Sequence, residues 1–193
     1  MNIESLLPFL LEADLLKKVN RQTLIHNGGR RENSAEHSWH LAIAVLIFQK
    51  LAPASVDVHK ALRMALLHDI VEIDAGDMFV YDDLSTKKSK ETAGIQRLTE
   101  LLPKDIAEEF REIWLDFEMG ESEEARYVSA LDRFLPLYSN YLNEGHSWRN
   151  HGISSSRVIA KNQPPIEAVL PSLWEIARKM IEEAVDNGHL DRS

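Results

Sequence analysis

Apolar residues in this chain recur at the three-to-four-residue spacing of a helix along almost its whole length, and no strand-like alternation runs beyond four residues. A chain patterned this way buries its stripes helix against helix, so the expected fold class is all-α. Residues 3–18 place Ile3, Leu6, Leu7, Leu10 and Leu11 on one stripe, as a core-facing amphipathic helix does. The polar stretch from Asn20 to Asn33, with its Asn27-Gly28-Gly29 turn signal, reads as a loop. Asn33 then caps a helix, and Glu36 three residues on closes a capping box. That helix is expected over 34–51, apolar on almost every side after Trp39 and therefore central, with Pro53 as its stop. Asp57 caps a third helix running to about Glu72, with Leu62, Ala65, Leu66, Ile70 and Ile73 as its buried stripe. Residues 74–85 read as a loop. Further helices are expected over 87–101, 103–118, 122–143 and 165–187, the last ended by Asn187-Gly188.

A length of 193 residues suits one domain, taken as 1–193. Acidic residues outnumber basic ones, 31 to 22, for a formal charge of −9. That argues against a protein that grips polymeric nucleic acid, which needs a basic face. Small phosphorylated substrates stay open, because a few arginines or a metal ion reverse the sign locally. Without cysteine there is no disulfide, thiolate nucleophile or Cys-ligated zinc. The longest apolar run, Leu41–Phe48, falls well short of the roughly 20 residues of a membrane span. The N-terminus carries its lysines after its apolar part, the wrong order for a secretory signal. A soluble cytoplasmic protein is the expectation.

Three places put polar chemistry into apolar sequence. His68-Asp69 is flanked by Leu66, Leu67, Ile70 and Val71, and a buried ionised Asp without a partner costs on the order of several kcal/mol. A divalent cation answers that need, and so does an internal Arg or a protonated His. His37 stands in the first turn of the preceding helix, and Asp132 interrupts the stripe Val128, Leu131, Leu135. Two imidazoles and two carboxylates from three helices suit Mn, Fe, Co, Ni or Zn in the divalent state, with positions left for water and substrate. Pro136 cannot donate to the carbonyl of Asp132 and should kink or loosen that helix. Glu72 lies one turn after His68, where it either handles a proton or is a solvated helix-end acid. Asp77 reaches toward the same place from the loop, in competition with Asp74, Asp82 and Asp83. Arg30 and Arg31 read as a solvated pair, His40 as packing, and His26, His59, His146, His151 and His189 as surface groups. Phe110, Trp114 and Phe117 have the helical spacing of core or dimer contacts.

The set Asn20-Arg21, Arg31 to Ser38, His68-Asp69-Ile70-Val71-Glu72, Ala75-Gly76-Asp77 and Ala130-Leu131-Asp132-Arg133 resembles the HD-domain metal-dependent phosphohydrolases. Within them it is similar to the bacterial 5′-deoxynucleotidases and their small HD-domain relatives. The resemblance implies an HD-domain helical bundle with one central divalent ion (Mn, Co, Fe, Ni, Zn or Mg) held by His37, His68, Asp69 and Asp132. It implies hydrolysis of nucleoside 5′-monophosphates by metal-bound water, with Glu72 assisting proton transfer. Arg21 would hold the phosphate, Asp77 would contact water or sugar, and the chain would form a homodimer. Gln22 stands where those enzymes carry a Trp that crowds the sugar 2′ position, and Met78 where they carry a small hydroxyl residue; both departures touch sugar recognition. The segment Gly145–Gly152 resembles one in uncharacterised HD relatives and has no assigned role. The alternatives are an HD hydrolase of a nucleoside triphosphate or guanosine polyphosphate, and a non-catalytic binding module in which the ion is structural.

Overall fold

A computed structural model describes residues 2–79, 81 and 87–192. A 3-10 turn at Ile3–Leu6 leads into α1 (Leu7–Ala13), and a second at Asp14–Lys18 leads into an antiparallel hairpin of β1 (Asn20–Leu24) and β2 (Arg31–Asn33). Asn20 pairs with Asn33 and Leu24 with Arg31, with an irregularity between them. Asn27 and Gly28 turn the chain with positive φ of 69° and 68°. The expectation of a loop here is corrected. The strand was hidden because Arg21, Gln22 and Thr23 face a polar cavity rather than the core, so the sequence shows no apolar alternation. The stripe expected on the first helix is corrected too. The 3-10 turns rotate the segment so that Phe9 and Leu16 are buried, while Ile3, Leu7, Leu10 and Leu11 are exposed.

α2 (Ser34–Phe48) begins with the capping box: Glu36 N–H donates to Asn33 Oδ1 at 3.0 Å, and Asn33 N–H donates to Glu36 Oε2 at 3.1 Å. It ends three residues earlier than expected, and although Leu41 and Val45 are fully buried, Trp39 and Ile47 are exposed. α3 (Val58–Leu67) is capped by Asp57, which accepts from His59 N–H at 2.9 Å. It does not run to Glu72. After Leu67 the bonds tighten from four-residue to three-residue spacing, with Ile70 N–H on Leu67 O at 3.1 Å and Glu72 N–H on Asp69 O at 3.0 Å. α4 (Glu72–Ala75) follows and stops at Gly76, whose φ of 74° suits glycine. The break lets Ile70 and Val71 enter a small apolar cluster with Phe9, Leu98 and Trp114, and leaves Leu66 exposed.

α5 (Lys87–Thr99), α6 (Lys104–Met119) and α7 (Glu123–Leu142) follow, with Pro103 just outside α6 and Ser122 capping α7. α7 continues through Pro136 as one helix. The C-terminal region departs most from expectation. α8 (His146–Asn150) and α9 (Ser155–Val169) precede α10 (Pro171–Asp186). α9 contains Pro164 and Pro165, which remove two helical donors and made 165 look like a start. Burial of Val158, Asn162 and Ile166 holds it as a helix, and Pro171 opens α10. The main core joins Leu41 and Val45 of α2, Met64 of α3, Val128 and Leu131 of α7, Ile166 of α9 and Trp174 of α10. Among the described residues no helix is long and apolar enough to cross a membrane.

Candidate active site

The polar residues singled out in the sequence meet where the first turn of α2, the break after α3 and the middle of α7 converge. His37, His68 and Asp69 each offer an atom within 4.8 Å of the other two. Asp132 joins them, with Oδ1 2.9 Å from His37 Nε2 and 3.8 Å from His68 Nε2. His37 and His68 are buried, and neither reaches solvent to satisfy its ring. His68 Nδ1 lies 3.0 Å from Ala65 O, which fixes that nitrogen as the donor and turns Nε2 inward. Nε2 is buried without a hydrogen-bond partner, although Asp69 Oδ1 lies 3.2 Å away. An orphaned imidazole nitrogen among carboxylate oxygens is what a site for a borderline divalent cation looks like, and the donor set fits one. Phe117, expected only as packing, sets its ring edge-on to His68 at 5.0 Å between centroids and so limits the orientation of that imidazole.

Arg21, placed by β1, donates from Nη1 to Asp69 Oδ2 at 2.9 Å. Its Nη1 also lies 3.6 Å from Asp77 Oδ1, and its Nε 3.5 Å from Glu32 Oε2. Glu32 was missed in the sequence. It is half-buried, lies 3.7 Å from His37 Nδ1, and its pKa is raised to about 7 by burial against the pull of Arg21. In the sequence it is marked only by its place in the Arg31 to Ser38 stretch that carries the resemblance, with no role of its own. Ser34 was missed as well: it is fully buried, and its hydroxyl donates to Glu72 Oε2 at 2.5 Å.

Glu72 is buried, which decides between its two readings against the solvated one. Burial first, then Asp69 and Asp77, raise its pKa to about 8, so at neutral pH it retains a proton. Burial pushes His37 down to about 4, with the Arg21 charge adding to it. For His68 burial opposes the charge, but Asp69 and Asp132 outweigh it and raise the pKa to about 10. Burial works against ionising Asp69 and Asp132 too, yet His68 beside Asp69, and His37 and His68 on Asp132, hold both well below the usual carboxylate range.

Two cavities flank this cluster. The first, of about 110 Å³, is lined by Arg21, Asp69, Glu72, Asp77 and Asp132, together with Gln22 and Met78, so both departures from the family pattern face one space. Its far wall is aromatic: Phe79, Tyr81 and Trp148. This gives the Gly145–Gly152 segment a structural role. Trp148 of α8 is buried in that wall, Ser147 Oγ donates to Asn140 Oδ1 at 2.5 Å, and His151 packs on Phe79 at 4.5 Å between centroids. The second cavity, of about 510 Å³, opens beside His68 and Phe117 and shares Asp69, Asp132 and Arg133 with the first.

Of the competing residues, Asp74 is taken by Arg97 at 2.7 Å, and Arg30 by Glu36 at 2.5 Å on the surface. Asp82 and Asp83 lie outside the described residues. His40 is exposed and stacks on Trp39 rather than packing in the core.

A family model described as the HD domain matches residues 13–174. This chain belongs to the HD-domain family. It is 30% identical over 132 residues to the 5′-deoxynucleotidase HDDC2 of Homo sapiens, covering 67% of this chain and 63% of that protein. It is 27% identical over 137 residues to the 5′-deoxynucleotidase hdd1 of Schizosaccharomyces pombe, covering 67% and 68%. The match to the human protein thus spans a little under two thirds of its length. A crystal structure of a predicted metal-dependent phosphohydrolase from Magnetospirillum magnetotacticum superposes over 98% of this chain and 95% of that one, at a TM-score of 0.94 and 41% identity.

Proposed function

We propose that this chain is a metal-dependent phosphohydrolase that releases phosphate from nucleoside 5′-monophosphates, with one divalent ion held by His37, His68, Asp69 and Asp132. The observation that carries the reading is the meeting of His37, His68, Asp69 and Asp132, with His68 Nε2 buried and without a hydrogen bond among the described residues, beside a cavity that also holds an arginine. The names of the relatives support the substrate class. Bound there, the ion neutralises phosphate charge and activates a water as nucleophile.

The protein's own residues do the rest. Glu72, held by Ser34, stands in the cavity where it can pass a proton to the departing sugar oxygen. Arg21 directs a guanidinium at the non-bridging oxygens, and Asp77 fixes its orientation from the opposite side while facing the sugar or a water. Gln22 and Met78 line the space where ribose and deoxyribose are told apart. The exposed Leu7, Leu10 and Leu11 of α1 support a homodimer closed over that face; Leu11→Asp then sediments as a monomer.

The test is phosphate release from a panel of ribo- and deoxyribonucleoside 5′-monophosphates with Mn²⁺, Co²⁺ or Mg²⁺. The wild type releases phosphate and His68→Ala does not. No release across the panel by protein with bound metal overturns the substrate assignment.

A further inference from the structure

A phosphate dianion entering a chain of charge −9 needs a cation that no carboxylate has already claimed. Arg21 is not such a group on its own, since Asp69, Glu32 and Asp77 stand 2.9, 3.5 and 3.6 Å from it. Three further cations of the fold are likewise committed. Lys60 holds Asp116 at 2.7 Å and Glu124 at 3.1 Å, and Arg97 holds Asp74 and Glu12. Arg157 donates to Tyr81 O at 3.0 Å.

Arg133 differs. It follows Asp132 on α7, is half-buried, and has no hydrogen bond or ion pair among the described residues. It lines both cavities, together with Asp69 and Asp132, and therefore sits where they join. Arg126, two turns earlier on α7, lines the larger cavity and has no ion pair among the described residues either. α7 thus presents an uncommitted positive edge along the approach to the metal cluster, which ends at Arg133.

We propose that Arg133 grips the non-bridging oxygens of the substrate phosphate at the junction of the two cavities, as a second cation opposite Arg21. The inference rests on the phosphohydrolase reading. A planar guanidinium offers a phosphate two parallel N–H donors, which an ammonium cannot. From the junction, the half-buried Arg133 shares both cavities with Asp132, one of the proposed ion ligands.

The test compares metal-loaded wild type, Arg133→Ala and Arg133→Lys. It measures kcat and KM for the best nucleotide, and the binding of inorganic phosphate by calorimetry. In Arg133→Ala, KM and the phosphate dissociation constant rise roughly 10- to 100-fold, and Arg133→Lys recovers part of the loss. Metal content per chain and thermal midpoint stay at wild-type values, because Arg133 has no hydrogen bond or ion pair among the described residues. An unchanged KM and phosphate affinity in Arg133→Ala overturns the proposal. The calorimetric arm separates it from the parent reading. Phosphate binding that is lost in Arg133→Ala supports the grip even if the wild type hydrolyses no nucleotide, and equal binding by both sinks it. A wild type that binds no phosphate overturns both.

Discussion

Glu72→Gln separates the electrostatics of the site from its chemistry. In the metal-free protein the Glu72 carboxyl is raised to about 8 from the ordinary 4.5, first by burial and then by Asp69 and Asp77, against the pull of Arg21. A carboxyl group whose folded pKa exceeds its unfolded one holds a proton in the native state that the unfolded chain has released. Stability therefore falls as pH rises through that window, and the sign is opposite to that of a salt-bridged acid. Each pH unit in the window removes about 1.4 kcal/mol, so from about pH 6 to about pH 8 this group alone costs roughly 2–3 kcal/mol. Glutamine keeps the shape and still accepts from Ser34, but it does not titrate. Urea denaturation of EDTA-treated wild type and Glu72→Gln at the two pH values measures the difference directly. The variant, inactive as a hydrolase, gains on the wild type by that amount at the higher pH. A stability difference identical at both values would refute the account of Glu72 as an acid kept neutral by burial and crowding.

Arg21→Ala leaves Asp69, Asp77 and Glu32 facing one another without their shared cation, and should lower stability by about 3–5 kcal/mol in chemical denaturation of the metal-free protein. Gly145→Ala meets a backbone obstacle. Gly145 has φ of +70°, and a Cβ there would lie 1.8 Å from His189 O. A loss of about 2–4 kcal/mol, a fall in thermal midpoint of roughly 5–15 °C, and a loosened α8 are expected, the last read from near-UV circular dichroism of Trp148.

The helices that could be read from the sequence are those whose ends carry local chemistry. Asn33, Asp57 and Ser122 accept hydrogen bonds from the first turns of α2, α3 and α7. What could not be read depends on distant parts of the chain. The β1–β2 hairpin has no apolar face because it faces the cavity, and α9 persists across two prolines because its other side is buried. The site divides in the same way. His37, His68, Asp69 and Asp132 stand out as acids and imidazoles inside apolar sequence, whereas Glu32 and Ser34 lie in polar surroundings and acquire meaning only from what folds against them. The break after Leu67 belongs to this second kind. Its residues have helical periodicity, and the interruption comes from Ile70 and Val71 entering a cluster with Phe9 and Trp114.

The charge content of the site also sets the order in which it can fill. Glu32, Asp69, Glu72, Asp77 and Asp132 crowd around Arg21, with His68 and Arg133 beside them adding positive charge. The metal-free protein relieves that crowding with protons, on Glu72 and on His68. Inorganic phosphate approaching this state meets Asp69 and Asp132 lining both cavities, so its binding is opposed until a dication offsets them. Two added positive charges at a few Å from the anion, in a partly buried site, are worth several kcal/mol by Coulomb's law at an effective dielectric of about 20. Phosphate should therefore bind metal-loaded protein at least about 100-fold more tightly than EDTA-treated protein, as measured by titration calorimetry on the two forms. Equal affinity in the two forms would mean that the anion is held away from the His37–His68–Asp69–Asp132 cluster, and the assignment of that cluster to the reaction would fall with it.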